Sequence, residues 1–258
     1  MKLFYHTYFF TQIFLAISLS VIVSAQSEKV NSQITVFMIG NSTMADKTYK
    51  DGNPEKGWGQ IFPLYFKEGI VIENHAKNGR STKSFIDEGR WDSVVNKIKS
   101  GDYVIMEFGH NDAKQDDPKR FADANTDYKW NLEKFIKETR EKGGTPILAT
   151  PIVRRRFDED SKFYDVHGDY PKVVRELAEK WNVVLLDLHK KSEDYIIKLG
   201  VERSKAFYLH IDADEYNSLP NGLEDNTHLS PCGAFRICDF AAEEIKLKIP
   251  ELANYLKE

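Results

Sequence analysis

Cysteine is nearly absent: the chain of 258 residues holds two, Cys232 and Cys238. Both fall in SPCGAFRICDFAAEEI, whose pattern predicts a helix. Six residues of helix rise about 9 Å, too far for a disulfide. A disulfide scaffold is excluded, and two buried free thiols are expected. There is no CxxC pair and no HExxH, so no zinc motif is present and neither metal nor cofactor is expected. Neither sign of charge dominates: 36 Lys and Arg face 40 Asp and Glu, for a formal net charge of −4. This gives no electrostatic case for binding nucleic acid or an anionic membrane surface. Internal repeats, low-complexity tracts and a second-domain boundary are also missing.

Long apolar runs are lacking except at the start. Residues 1–25, MKLFYHTYFFTQIFLAISLSVIVSA, open with Lys2, continue apolar and end in Val-Ser-Ala. This pattern predicts a secretory signal peptide cleaved after Ala25. A membrane anchor is the alternative, but polar Thr7, Thr11, Gln12, Ser18 and Ser20 interrupt the run. The expected location is periplasmic or extracellular, with no stable membrane insertion after cleavage. Residues 26–33 read as a short linker and 34–258 as one domain. An α/β domain can reach about 250 residues before it splits.

Apolar, β-branched runs predict buried strands at Ile34–Ile39, Ile70–Glu73, Tyr103–Phe108, Pro146–Thr150 and Val183–Leu188. Helical patterns lie between them, at Gln60–Lys67, Trp91–Lys99, Asp127–Lys142 and Tyr170–Trp181. A last helix is predicted at Pro231–Lys248, with Pro231 in its first turn. Strands alternating with helices predict a doubly wound parallel sheet of five strands between two helical layers. In such sheets the site lies beyond the carboxyl ends of the strands. The stretch from Glu202 to Leu229 reads as a long irregular loop.

Polar residues of catalytic type follow these strands. Ser42 comes directly after the first strand and Gly40. Read alone, Asn-Ser-Thr also fits a helix N-cap. Asp225 precedes His228 by three residues, so its carboxylate can orient the imidazole toward a serine hydroxyl. Alone, an Asp turn beside a solvated histidine fits equally. Gly109-His110-Asn111-Asp112 follows the third strand, where Asn111 can donate amide N–H groups to a developing oxyanion. Gly79, in an Asn-Gly turn, can bring its backbone N–H close to a ligand.

The order serine, glycine, asparagine, Asp-x-x-His is the specific feature. The blocks IGNSTMADK, NGRSTKSF, FGHNDAK and DNTHLSPCGA resemble those of the SGNH/GDSL hydrolase superfamily. Within it the chain is similar to the rhamnogalacturonan acetylesterase family, over about Ile34 to Ile245. The resemblance implies a flavodoxin-like α/β fold and an esterase needing no cofactor. It implies Ser42 as nucleophile, His228 as base and Asp225 as its orienter. The oxyanion hole would be the Ser42 and Gly79 N–H groups and the Asn111 side chain. One departure stands out: Asn41 occupies the place of the usual Asp, which alters local hydrogen bonding because an amide donates where a carboxylate only accepts.

Arg154, Arg155 and Arg156 follow the fourth strand, and arginine forks suit the carboxylates of an acidic sugar. His167 and Tyr170 follow shortly after and read either as site residues or as a helix cap. Trp58 and Trp91 read as buried aromatics or as platforms for sugar rings. The expected partner is an acetylated plant cell-wall polysaccharide of the rhamnogalacturonan or pectin type. Two rival readings stay open: a lipid or thioester hydrolase of the same superfamily, and a non-catalytic carbohydrate-binding relative. The sequence leaves oligomeric state open.

Overall fold

A computed structural model describes residues 33–257; the leader expected at 1–25 lies outside them. In chain order the strands are β1 Ile34–Gly40, β2 Ile70–Asn74, β3 Tyr103–Glu107, β4 Thr145–Ala149, β5 Val184–Leu186, β6 Tyr208–Ile211 and β7 Leu223–Leu229. The helices are α1 Trp58–Ile61, α2 Thr82–Asp87, α3 Arg90–Val95, α4 Lys129–Glu141, α5 Tyr170–Trp181, α6 Leu188–Arg203, α7 Pro231–Lys248 and α8 Pro250–Ala253. No helix among the described residues is long and apolar enough to cross a membrane.

Five strands form one parallel sheet in the order β2-β1-β3-β4-β5. Its central strands are mostly apolar because both faces are covered. Alternate residues feed two cores, as the period of a strand requires. Val36, Met38, Ile105 and Ile147 pack with Trp58 of α1 and with Ile237, Cys238, Ala241 and Ile245 of α7. Phe37, Ile39, Val104, Met106 and Leu148 pack against Phe85, Trp91, Phe135, Val173 and Leu177 of α2 to α5. The sheet therefore sits between two helical layers, the predicted α/β architecture. Trp58 and Trp91 are both fully buried, so neither is a sugar platform.

The chain winds outward from β1 to β2, then crosses back to β3. The topological switch falls between the carboxyl ends of β1 and β3, where open α/β sheets bind ligands. Ser42 and Asn111 lie just past those two ends.

Three expectations need correction. The stretch 202–229 is not an irregular loop: β6 and β7 pair in it as an antiparallel ribbon, with Leu209 opposite Asp225 and Ile211 opposite Leu223. The ribbon is seated by α7, where a Cβ on Gly233 would stand 1.9 Å from the Phe207 carbonyl oxygen. Helix α6 was not predicted. Cys238 is buried, but Cys232 is exposed, because it sits on the outer side of the first turn of α7.

Candidate active site

Strand β1 delivers Ser42 through a tight turn. A side chain at Gly40 would lie 2.6 Å from the Glu107 carbonyl oxygen, so only glycine lets β1 pass β3 at this point. Asn41 then closes the turn. Its Oδ1 accepts from the Thr43 N–H at 3.0 Å and the Thr43 hydroxyl at 2.8 Å, and its carbonyl accepts from Ala45 N.

Strand β7 supplies the other two groups. His228 Nε2 stands 2.9 Å from Ser42 Oγ, and His228 Nδ1 stands 2.7 Å from Asp225 Oδ2. Asp225 Oδ1 accepts the backbone N–H groups of Thr227 and His228 at 2.7 and 3.0 Å. Burial raises the Asp225 carboxyl, but the His228 ring and these two N–H groups outweigh it and hold it well below the usual carboxylate range. A charged carboxylate only accepts, so Nδ1 carries the imidazole proton and Nε2 presents its lone pair to the hydroxyl. This geometry can take a proton from a serine oxygen.

Two further loops flank the hydroxyl. Gly79 adopts φ +77°, a left-handed conformation that suits glycine. Asn111 donates one amide N–H to the Arg80 carbonyl at 3.0 Å, which ties its loop to the Gly79 turn and leaves its second N–H for a ligand. Buried Lys47 binds Asn78 Oδ1 at 2.7 Å and Glu55 at 2.6 Å, fastening the same turn to the segment after Ser42. Neither Ser42 N–H nor Gly79 N–H is committed to a protein acceptor among the described residues. Three donors on the loops after β1, β2 and β3 are thus uncommitted.

Sequence reasoning passed over Glu107, His110 and Asp112. All three are buried, and Glu107 ends a wholly apolar strand, which was the available signal. Burial pushes Glu107 up to about 7, against hydrogen bonds from Trp58, Thr43 and the Ile152 backbone. A neutral Glu107 donates its proton to Thr43 Oγ1 at 3.0 Å while accepting from Trp58 Nε1 at 3.0 Å. The Thr43 hydroxyl is then free to donate to Asn41. Burial also raises Asp112 to about 7, and its oxygens hold the N-terminus of α2 through Thr82 and the β3 loop through Gly109.

A stability prediction follows. Glu107 binds its proton more tightly folded than unfolded, so this contribution is complete below about pH 4.5 and is lost as pH rises through about 7. Asp112 acts in the same sense, while His110 and His167, whose pKa values burial lowers, act in the opposite sense, so the Glu107 contribution is read as a difference between two proteins. Glu107→Gln keeps a donor for Thr43 and an acceptor for Trp58 without titrating. Relative to the wild type, its melting temperature should rise by several degrees between pH 5 and pH 8, since each kcal/mol is worth about 2–4 °C at this size. Parallel melting curves for the two proteins would refute the assignment.

The basic segment after β4 divides. Arg154 is held by Thr227 Oγ1 at 3.0 Å and by the His110 carbonyl at 3.3 Å, beside the catalytic-type groups. Arg156 is exposed. Together with His110, Ala113, Lys114, Tyr164 and Val166 they line a groove of about 370 Å³. Burial, and then the charges of Arg120 and Arg154, lower the Lys114 pKa against the opposing charges of Asp117 and Asp116. Two expected substrate contacts are corrected. Arg155 is buried and spends its guanidinium on Ser204, Asn226 and the Val201 carbonyl. His167 is 3% exposed, with Asp165 on one ring nitrogen and His110 on the other. Tyr170 is also buried, its hydroxyl beside the Asp112 and Ala122 carbonyls. The Asn41 departure is accommodated within the protein: Asn41 Nδ2 points at His110 Nδ1, 3.5 Å away.

Known proteins share this arrangement of sequence and fold. The chain is 38% identical over 213 residues to rhamnogalacturonan acetylesterase RhgT of Bacillus subtilis, covering 83% of this chain and 90% of that protein. It is 32% identical over 224 residues to the probable rhamnogalacturonan acetylesterase YesY of the same organism, covering 86% and 98%. The crystal structure of protein YXIM from Bacillus subtilis superposes with a TM-score of 0.71 at 25% identity, over 84% of this chain and 57% of that one. The model of the GDSL-like lipase/acylhydrolase family matches residues 38–234, from within β1 to the first turn of α7. That span contains Ser42, Gly79, Asn111, Asp225 and His228, and the chain belongs to the GDSL-like lipase/acylhydrolase family.

Proposed function

We propose that this protein is a serine esterase that removes O-acetyl groups from an acidic plant cell-wall polysaccharide of the rhamnogalacturonan type. The observation that carries the reading is the Asp225-His228-Ser42 hydrogen-bonded chain opening beside a groove with three cations, Lys114, Arg154 and Arg156. The names of RhgT and YesY support the substrate class.

In the first step Ser42 Oγ attacks the acetyl carbonyl and its proton passes to His228 Nε2. The oxyanion accepts from the Ser42 and Gly79 N–H groups and the Asn111 amide. These donors are fixed before charge develops, which is where such sites gain most of their rate. The tetrahedral intermediate collapses, His228 gives its proton to the sugar oxygen, and acetyl-Ser42 remains. Water, deprotonated by the same ring, then releases acetate. Export would bring the enzyme to its polymer and rests on the leader read at 1–25.

The groove reads charge on the polymer. Galacturonate carboxylates along the backbone would meet the forks of Arg154 and Arg156. Arg156→Ala should raise KM for acetylated rhamnogalacturonan about tenfold, the worth of one charge-assisted hydrogen bond. Turnover of a small neutral acetyl ester should stay at the wild-type rate, since the exposed Arg156 touches no reacting group. Acetate release from both substrates measures this. No acetate from the polymer would remove the proposed activity, and an unchanged KM would remove the groove's part in it.

A further inference from the structure

A second group of chemically capable side chains converges behind His110, outside the catalytic centre. Asp165 and His167 lie on the segment between β4 and α5, and His189 lies in the first turn of α6. Asp165 Oδ1 stands 2.7 Å from His167 Nδ1 and 3.2 Å from His189 Nε2. One ligand atom from each residue lies within 4.8 Å of the other two. The two imidazoles meet edge to face, with centroids 5.4 Å apart. Both rings are buried, whereas Asp165 reaches the surface and leaves a way in.

His189 supplies an independent observation. Its side chain is 6% exposed, yet among the described residues neither ring nitrogen has a hydrogen-bond partner. Nε2 faces the Asp165 carboxylate at 3.2 Å, and Glu193 stands 3.9 Å from Nδ1. Buried polar atoms without partners are rare and call for a cause. An ion on Nε2 is such a cause.

We propose that Asp165, His167 and His189 form a binding site for a divalent transition metal, with zinc as the best-fitting ion. Two imidazole nitrogens and one carboxylate oxygen are a zinc donor set, with water in the fourth position. Calcium and magnesium demand more oxygen ligands than the site offers. Tetrahedral zinc separates its ligand atoms by about 3.3 Å, given bonds of about 2.0–2.2 Å. The two spacings to Asp165 are 2.7 and 3.2 Å and the remaining one is within 4.8 Å, so an outward shift of surface Asp165 and a turn of the rings meet that geometry. No spacing motif announces the site, because its ligands come from two separate segments.

The ion would act on the groove, not on the ester. It clips the segment that carries Arg154, Arg156 and Tyr164 onto α6, fixing one wall of the cavity. It also reaches the Ser42 turn through the rings. Coordination at His167 Nδ1 leaves that ring's proton on Nε2, from which it donates to His110 Nε2 at 3.4 Å. His110 then keeps its own proton on Nδ1, directed toward the Glu107 carboxyl at 4.0 Å, and can no longer accept from Asn41 Nδ2 at 3.5 Å.

The test uses the full chain after treatment with a chelator. Zinc chloride is titrated by calorimetry, and cobalt(II) is followed by its visible absorption. One equivalent should bind, with the intense bands of tetrahedral cobalt. His189→Ala and Asp165→Asn should each weaken binding at least about 100-fold, since even residues that only orient metal ligands cost 10–100-fold. Ser42→Ala and Cys232→Ser should bind as the wild type does. Histidine ¹⁵N spectra of the wild type give a reading independent of variant folding: the His189 Nε2 and His167 Nδ1 signals should shift on zinc addition. The absence of saturable binding, binding that survives both ligand substitutions, or unmoved signals at those two nitrogens would each overturn the site.

Discussion

Ser42→Ala lowers kcat for acetyl ester hydrolysis about a million-fold, by analogy with other triad hydrolases, and leaves the fold intact. The size of the loss follows from what the hydroxyl does in the proposed mechanism. It is the atom that becomes bonded to acetyl, and no neighbouring group in the described structure can replace it. The residual rate comes from the oxyanion donors and from binding, which survive the substitution. The fold is spared because the turn is held by its neighbours. Asn41 and Thr43 make the closing hydrogen bonds, while among the described residues the Ser42 hydroxyl reaches only His228 Nε2. Losing that one bond costs about 0.5–1.5 kcal/mol, a shift of a few degrees in melting temperature. Steady-state acetate release from purified wild type and variant measures the loss. A fluorophosphonate probe adds a direct reading, since it should label the wild type and leave Ser42→Ala unlabelled. A variant retaining a tenth of wild-type turnover would end the proposed mechanism.

The parts of the fold that read clearly from the sequence are those governed by burial alone. Strands β1 and β3 appear as unbroken apolar runs because helices cover both faces of the sheet. Helices α5 and α7 matched their predicted bounds because each starts at a proline-bearing first turn, and α5 ends on Asn182 in a left-handed conformation. Helix α6 escaped because few of its residues face the core: Leu188, His189, Ser192 and Ile196 are buried, Ile197 is an exposed apolar residue that blurs the pattern, and Gly200 breaks its regularity. Strand β7 escaped for a different reason. Its middle residues, Asp225, Asn226, Thr227 and His228, are polar and half-buried, so the alternation that marks a strand is overwritten by polar contacts.

The candidate site shows the same division. The convergence of Ser42, Asp225 and His228 was legible from the order of four blocks, since each follows a strand end or opens a helix. The fate of the three arginines was not read, though the means existed. Adjacent side chains in extended backbone point to opposite sides. Arg154 and Arg156 face the groove while Arg155 turns inward to Asn226. Which side was which depended on β7, an element the sequence did not announce. His167 escaped likewise, because its partners Asp165, His110 and His189 lie on three different segments.

Asp225→Asn should lower kcat about 10⁴-fold, by analogy with the same change in a serine protease, while leaving the side chain's position unchanged. The reason lies in the two backbone N–H groups that Asp225 Oδ1 accepts, from Thr227 and His228. An asparagine has one oxygen and one NH₂ group to place in the same two positions. With its oxygen toward the backbone, it keeps both hydrogen bonds and points NH₂ at His228 Nδ1. The opposite orientation sets NH₂ against two N–H donors and forfeits both bonds. The first orientation therefore prevails, and it obliges Nδ1 to accept. The imidazole proton then moves to Nε2, facing Ser42 Oγ at 2.9 Å. A ring in this tautomer can donate to the serine oxygen but cannot take its proton. The variant keeps a serine, a histidine and an oxyanion hole, and fails through the location of one hydrogen. Kinetics of acetate release measure the rate, and ¹⁵N spectra of His228 locate the proton. Wild-type turnover, or a proton found on Nδ1 in the variant, would show that Asp225 does not set the tautomer of His228.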